Sequence, residues 1–292
     1  MKKLAMLFLI VCIQTSLFSQ TTEKTYPFSV EVTGKGKPII LIPGLSCSGA
    51  VWKQTTDALQ SKYECHTLTL AGFDHQKPID LKNGFIPTIQ NGIIAYIHNE
   101  LSEKPIIIGH SLGGFITMSI ACAQPEILSQ IIIVDAYPFT PSAFNPNATK
   151  ENMLPQATQM KETLLALPDS QFYEQEVMKL KTMITDEENI QTASTWIMKS
   201  DRATISQSIF ELMITDLRGE VENIKIPILV LGSWYGLKDY GVTKDFVSNN
   251  YNTQFSTAKN CEIIIADSAK HFIMWDAPQW FCEKIKSFIS YE

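Results

Sequence analysis

The sequence of 292 residues has no excess of basic side chains, because 24 Lys and Arg stand against 30 Asp and Glu for a net charge of −6. A surface that binds nucleic acid needs clustered positive charge, so no nucleic-acid partner is expected. The sequence also lacks the HExxH, GxGxxG and GxxxxGK[ST] patterns and any Cys/His cluster with metal-ligand spacing. Neither a metal nor a bound cofactor is therefore expected.

Cysteines are few, and the long apolar run at the N-terminus has no counterpart later in the chain. The six cysteines include no CxxC pair and are irregularly spaced, which argues against a disulfide framework in a chain of this length. Beyond residue 20, no apolar run approaches the roughly 20 residues that cross a bilayer as a helix. No integral membrane segment is expected after processing of the N-terminus.

The overall composition is that of a packed globular protein. Hydrophobic residues make up 45% and charged residues 18% of the sequence, which excludes disorder and coiled coil as overall descriptions. At roughly 100–200 residues per domain, the length fits one large or two small domains.

The first 19 residues predict a signal peptide. Two lysines after Met1 precede an apolar run at residues 4–13, and a more polar stretch then ends at Ser19. This order of charge, apolar run and small residue predicts cleavage before Gln20. We therefore expect an exported protein, located in the periplasm or the medium.

Apolar runs and helical patterns alternate along most of the chain. Runs typical of strands buried on both faces occur at residues 39–42, 106–108, 131–134, 228–231 and 263–266. Helical patterns lie between and after them, at residues 52–59, 88–101, 115–123, 243–249 and 280–289. This alternation predicts an α/β fold with a mostly parallel central sheet and helices on both faces.

The alternation is interrupted between residues 137 and 222. This stretch begins with several prolines and continues with amphipathic helical segments at 172–183, 190–199 and 203–215, without a convincing buried strand. It predicts a helical insertion that covers one end of the sheet. The domain organisation expected is a signal peptide (1–19), a core in two parts (20–136 and 223–292) and the insertion (137–222).

The motif GHSLGG at residues 109–114 is the strongest indication of chemistry in the sequence. It follows a predicted buried strand and opens a predicted helix, which is the context that the GxSxG pattern requires. A tight turn at that point exposes Ser111 as a nucleophile, whereas the alternative is a serine that merely caps the helix. The N–H of Leu112 would then point, with the positive end of the helix, at an oxyanion.

A second motif, LIPGL, ends the earlier buried strand at residues 41–45. A loop at that position can supply a second oxyanion donor, and the N–H of Leu45 is the best candidate. The alternative is a plain turn that ends the strand.

The third motif is the segment DSAKHF at residues 267–272, just after the last apolar run. A general base must reach a nucleophile held at the carboxyl ends of the strands, and a loop that leaves a late strand can do so. Of the five histidines in the sequence, His271 occupies such a loop. It is the predicted base.

With these three motifs in this order, the chain from about residue 28 onward resembles the α/β-hydrolase superfamily. The resemblance implies that fold, a helical cap at 137–222, and a triad of nucleophile, acid and histidine that needs no cofactor. Members of the superfamily most often place the acid in a Gly-x-x-Asp pattern after the penultimate strand, where this chain has Tyr235. The acid is therefore one of two aspartates. Asp239 lies four residues later, and Asp135 lies at the end of the strand at residues 131–134, which follows the helix that begins at the GHSLGG motif.

The function expected is that of an exported serine hydrolase, similar to a carboxylesterase, that cleaves an ester-like substrate. The size of the cap and its apolar loops favour a small or medium apolar acyl compound. Two alternatives stay open: cofactor-free perhydrolase or C–C lyase/hydrolase chemistry on the same fold, and a binder without catalytic activity. The missing Gly-x-x-Asp pattern is the reason for the second.

Overall fold

The computed structural model describes residues 25–290 of the chain. Seven strands lie in this part of the chain: β1 (Phe28–Gly34), β2 (Lys37–Ile42), β3 (Tyr63–Leu70), β4 (Ile106–His110), β5 (Gln130–Val134), β6 (Ile228–Gly232) and β7 (Cys261–Ile265). They form one sheet in the order β1-β3-β2-β4-β5-β6-β7. The strand β1 pairs antiparallel with β3, and all other pairings are parallel.

Ten α-helices surround the sheet in the same part of the chain: α1 (Lys53–Leu59), α2 (Phe85–Glu100), α3 (Leu112–Ala123), α4 (Lys150–Ala166), α5 (Asp169–Met183), α6 (Glu187–Met198), α7 (Arg202–Ile214), α8 (Lys244–Gln254), α9 (Ile273–Asp276) and α10 (Pro278–Ile289). Every residue of β4, β5 and β6 is buried, because helices cover both faces of a parallel sheet. The predicted α/β fold, with a mostly parallel sheet and helices on both faces, is confirmed.

The strand order reverses between β2 and β4. From β2 the chain moves outward to β3 and then returns to place β4 on the other side of β2. In open parallel sheets, the crevice outside the carboxyl ends of the strands at such a reversal is where ligands bind. The loop after β2 and the turn after β4 therefore meet at this crevice.

Four helices, α4 to α7, lie between β5 and β6, where the sequence predicts a helical insertion. The helix α4 packs on α7, and α5 packs on α6. The insertion is tied to the core by Glu211, whose buried carboxylate accepts hydrogen bonds from the N–H groups of Phe85 and Ile86 at the start of α2 (2.8 and 2.7 Å). The bounds 137–222 stay a prediction.

The helix α4 was not expected from the sequence, since Pro155 lies inside it and proline removes one helical hydrogen bond. The helix nevertheless begins with a capping box: Thr149 accepts from the N–H of Asn152, and the Asn152 side chain accepts from the N–H of Thr149. This local N-terminal structure offsets the proline close to it.

Among residues 25–290, no helix has both the length and the apolar character needed to cross a membrane. The predicted signal peptide at residues 1–19 lies outside the described residues. The five cysteines that follow it are free thiols, with Cys47 and Cys65 buried.

Candidate active site

Ser111 lies at a sharp turn between β4 and α3. Its backbone has φ 54° and ψ −117°, a conformation that side-chain-bearing residues rarely adopt. The turn is held by a hydrogen bond from the Ser111 N–H to the Val134 carbonyl (2.9 Å) and by another from the Phe115 N–H to the Ser111 carbonyl (2.9 Å). Strain of this kind exposes the serine side chain at the carboxyl edge of the sheet, as a GxSxG elbow requires.

Two glycines of the motif allow the turn to be this tight. A Cβ added to Gly109 would collide with the carbonyl oxygen of Gly113, and a Cβ added to Gly113 would collide with the carbonyl oxygens of Ile42 and Pro43. The start of α3 thus packs directly on the end of β2, so Ser111 lies beside the loop that follows β2.

The two predicted oxyanion donors lie at this junction. Leu112 is the first residue of α3, where helical N–H groups have no partner within the helix. Leu45 belongs to the loop after β2 and precedes Ser46, whose φ is 58°. Within residues 25–290, neither the Leu45 N–H nor the Leu112 N–H donates a hydrogen bond, and the two residues line the two cavities at Ser111.

His271 lies on the loop between β7 and α9, and its ring contacts Asp135. The Nδ1 atom is 2.7 Å from Oδ2 of Asp135. An ionised carboxylate only accepts hydrogen bonds, so this contact assigns the proton to Nδ1 and leaves Nε2 of the neutral ring as the basic nitrogen. Ser111 and His271 line the same two cavities.

Asp135 directly follows β5, and its carboxylate is held by three groups besides His271. Oδ1 accepts hydrogen bonds from the Ser233 N–H (2.7 Å) and the Tyr251 hydroxyl (2.9 Å), and Oδ2 accepts one from the Ser233 hydroxyl (2.6 Å). The Asp135 backbone has φ 48°. A carboxylate with four donors is fixed in one orientation toward His271.

Asp239, the other candidate for the acid, is not brought to His271. The chain after β6 forms the 3₁₀ helix Tyr235–Tyr240, which leaves Asp239 exposed. Asp239 lines a separate surface depression together with Lys181 and Lys270. Ser233, two residues before the position where the acid most often lies, instead donates two hydrogen bonds to Asp135.

The elbow histidine, His110, is buried behind the site. Burial, and to a lesser degree the neighbouring His271, holds the pKa of His110 well below its usual value. Its Nε2 lies 3.0 Å from the carbonyl oxygen of His271, so Nε2 carries the proton and donates. His110 therefore fixes the backbone of the loop that carries His271.

A family model described as the alpha/beta hydrolase fold matches residues 37–278. The chain belongs to the α/β-hydrolase fold family. The resemblance inferred from the elbow, the loop after β2 and the His271 segment is thereby confirmed.

Curated relatives of this α/β-hydrolase cover most of its length. It is similar to the pimeloyl-[acyl-carrier protein] methyl ester esterase of Aliivibrio fischeri, with 25% identity over 244 residues that cover 82% of this chain and 93% of the relative. The protein of the same name from Vibrio cholerae is 22% identical over 258 residues, covering 88% of this chain and 96% of its own. These relatives support a hydrolase of the esterase type.

Solved structures share the fold at low sequence identity. A hydrolase from Pseudomonas aeruginosa is 13% identical with a TM-score of 0.74, covering 90% of this chain and 94% of its own. An esterase from Exiguobacterium antarcticum is 16% identical with a TM-score of 0.73, covering 90% and 95%. At these identities the likeness shows the fold.

Two cavities of this α/β-hydrolase meet at Ser111, His271 and Met183. The larger has a volume of about 320 Å³ and a mainly apolar lining that includes Phe115, Phe144, Leu212, Trp234, Leu237 and Phe246. The smaller has a volume of about 110 Å³ and lies between the loop after β2 and the helices α5 and α6. The inserted helices therefore form part of the wall of both cavities.

Several residues of the site were not identified from the sequence. Tyr251 lies on α8, far in sequence from Asp135, and no motif marks it. Ser233 follows β6 directly, and the available indication was a hydroxyl residue two positions before Tyr235, where the acid most often lies. Glu176 and Lys179 of the smaller cavity lie in an amphipathic helix whose inner face could not be assigned to a cavity.

In the described part of the chain, no three His, Cys, Asp or Glu side chains are grouped so that they could hold a metal ion.

Proposed function

We propose that the protein is an exported serine esterase in which Ser111 is the nucleophile, His271 the base and Asp135 the acid. The observation that carries this proposal is the 2.7 Å contact between His271 Nδ1 and Asp135 Oδ2, in a ring that shares both cavities with Ser111. Asp239 has no comparable contact with His271. Asp135 is therefore the acid in this proposal.

In the proposed reaction, Ser111 Oγ attacks the ester carbonyl carbon while its proton moves to His271 Nε2. The electron pair of the C=O bond moves to oxygen, where the N–H groups of Leu45 and Leu112 stabilise the negative charge. When the intermediate collapses, the C–O bond to the alcohol breaks and the alcohol leaves with the proton of His271. Water, activated by His271, then releases the acid and restores Ser111.

The substrate proposed is a small ester with one apolar part of medium size. The larger cavity offers about 320 Å³ with an apolar lining, roughly twice the ~150 Å³ that holds benzene in an engineered apolar cavity. The curated relatives are named as esterases of a methyl ester, which supports ester hydrolysis as the reaction class.

The test is covalent labelling with an organophosphate-type serine probe, combined with hydrolysis of nitrophenyl esters of two to eight carbons. The wild type should be labelled at Ser111, as mapped by mass spectrometry, and should release nitrophenol. Ser111→Ala should lose both properties and keep its fold. The matched control Ser256→Ala removes an exposed serine and should behave as the wild type.

Other outcomes identify the alternatives. If the wild type is not labelled and cleaves no ester, the protein is a binder rather than an esterase. If Ser111 is labelled while esters are poor substrates, product analysis with added peroxide, or with substrates split at a C–C bond, tests perhydrolase and lyase chemistry.

We also propose that residues 1–19 direct export. Their charge and apolar pattern support this assignment. Mass spectrometry of the protein recovered from the periplasm or medium should show a chain that begins at Gln20. An intact Met1 on protein retained in the cytoplasm would contradict the proposal.

A further inference from the structure

The smaller cavity at Ser111 is lined by a charged pair in which the carboxylate is buried and the ammonium group is half-exposed. Glu176 of α5 is only 8% exposed, and its Oε1 atom lies 2.5 Å from Nζ of Lys179 one helical turn later. Both side chains line the cavity beside Ser111 and His271. A carboxylate taken out of water at a reaction centre is costly unless it is paired, so this pair calls for an explanation.

In the described part of the chain, no group donates a hydrogen bond to the second oxygen of Glu176. Among residues 25–290, Lys179 is the one donor that bonds to the carboxylate, and it engages Oε1. A carboxylate oxygen accepts hydrogen bonds from donors such as hydroxyl groups. The cavity also contains Ser46, a hydroxyl residue that is 5% exposed and has no hydrogen bond to the described chain through its side chain. The smaller cavity therefore presents polar groups that a ligand can bond to.

The size of the cavity limits what it can hold. Its volume is about 110 Å³, below the ~150 Å³ that accommodates benzene, so a group of about three non-hydrogen atoms fits. The Glu176–Lys179 pair carries no net charge. A cationic group would be attracted by Glu176 and repelled by Lys179, and an anionic group would be repelled by Glu176 and attracted by Lys179. A hydroxyl group, in contrast, can donate a hydrogen bond to Glu176 and accept one from Lys179.

We propose that Glu176 and Lys179 form a specificity site for a small hydroxylated group on one side of the ester. The preferred substrates are then esters with a medium apolar part in the larger cavity and a short hydroxylated part in the smaller one. The inference rests on the proposed esterase function, since the two cavities meet at Ser111. Glu176 and Lys179 select the substrate and take no part in proton transfer.

The experiment compares kcat/KM for matched esters, and the rate of hydrolysis is measured by titrating the released acid. One pair, 2-hydroxyethyl octanoate and propyl octanoate, places the hydroxyl on the alcohol. The other pair, octyl hydroxyacetate and octyl propanoate, places it on the acyl group. In at least one pair, the wild type should prefer the hydroxylated ester by about tenfold, because a hydrogen bond to a charged group is lost with the other ester.

Three variants identify the source of this preference. Glu176→Met should reduce the preference for the hydroxylated ester to within about twofold. Lys179→Met should reduce this preference as well. Because the Lys179 side chain is half-exposed, this second variant provides the test if Glu176→Met does not fold. Glu174→Met makes the same change at an exposed position of α5 and should keep the preference.

Two results would overturn the inference and are distinct from failure of the esterase proposal. Equal kcat/KM within both pairs, with hydrolysis that still depends on Ser111, would leave the esterase in place and remove the specificity site. If the preference for the hydroxylated ester persists in both Glu176→Met and Lys179→Met, other residues are responsible for it. If no ester is cleaved and Ser111 resists the serine probe, the esterase proposal fails and the specificity site fails with it.

Discussion

At the scale of single residues, the orientation of His271 depends on how Asp135 is held. The Asp135 carboxylate accepts hydrogen bonds from the N–H and the hydroxyl of Ser233 and from the hydroxyl of Tyr251. Its remaining hydrogen bond is the one with His271. Burial raises the pKa of Tyr251 well above its usual value. Its hydroxyl therefore stays protonated and donates throughout the physiological range of pH.

Tyr251→Phe should lower kcat of ester hydrolysis by about tenfold, because loss of one hydrogen bond to a carboxylate loosens the orientation of Asp135. KM should change little, since Tyr251 does not line either cavity at Ser111. Steady-state kinetics on a nitrophenyl ester provide the measurement. Tyr240→Phe, at a side chain that is exposed, is the control; an equal loss in both variants would show that Tyr251 has no positioning role.

The proposed acid illustrates what the sequence could and could not predict at this scale. Ser111 and His271 are each marked by a local motif, so both were candidates from the sequence alone. Asp135 and Asp239 could not be separated, because the choice depends on contacts between residues that are far apart in the chain. The bond from Tyr251 to Asp135 spans 116 positions, and no local pattern encodes it.

At the scale of secondary-structure elements, the elbow depends on direct contact between the start of α3 and the end of β2. A Cβ at Gly113 would meet two backbone carbonyls, which cannot move without displacing the strand. Gly113→Ala should therefore lower the free energy of unfolding by about 1–3 kcal/mol, the usual range for overpacking a core.

Urea denaturation measures this loss. Gly219→Ala is the matched control, since no atom lies within 4 Å of an added Cβ there, and it should leave the free energy of unfolding nearly unchanged. Equal stability of the two variants would mean that α3 and β2 are not in contact as described.

Elements were predictable where apolar periodicity is strong and less so where local rules conflict. The buried strands and the helix after Ser111 follow from continuous apolar runs and from the GxSxG context. The helix α4 was missed because Pro155 argues against a helix, while the capping box at Thr149 and the packing of α4 on α7 favour one. Tertiary contacts decided that conflict, and they are not visible in a single sequence.

At the scale of the whole molecule, buried neutral histidines link stability to pH. Burial is the main cause that lowers the pKa of His110 and of His66 in the folded chain. Below the ordinary histidine pKa of about 6.5, the unfolded chain binds protons that the folded chain does not. With respect to these two histidines, the free energy of unfolding therefore keeps its full value above about pH 6.5 and decreases as the pH falls below it.

The free energy of unfolding should fall between pH 6.5 and 5, and His110 should account for up to about 1.4 kcal/mol per pH unit of that slope. Denaturation curves at several pH values for the wild type and His110→Gln measure the difference. The variant should show the shallower slope, even if it is less stable at pH 7. Parallel slopes would contradict a neutral, buried His110.

The central claim is that Asp135, His271 and Ser111 act together, and the rate of nitrophenyl ester hydrolysis by Asp135→Asn and Asp239→Asn tests it most directly. Asparagine preserves the size of either side chain but cannot stabilise the His271 cation. Asp135→Asn should reduce kcat by up to about 10⁴-fold, while Asp239→Asn should retain the wild-type rate. A large loss in Asp239→Asn together with an active Asp135→Asn would contradict the account.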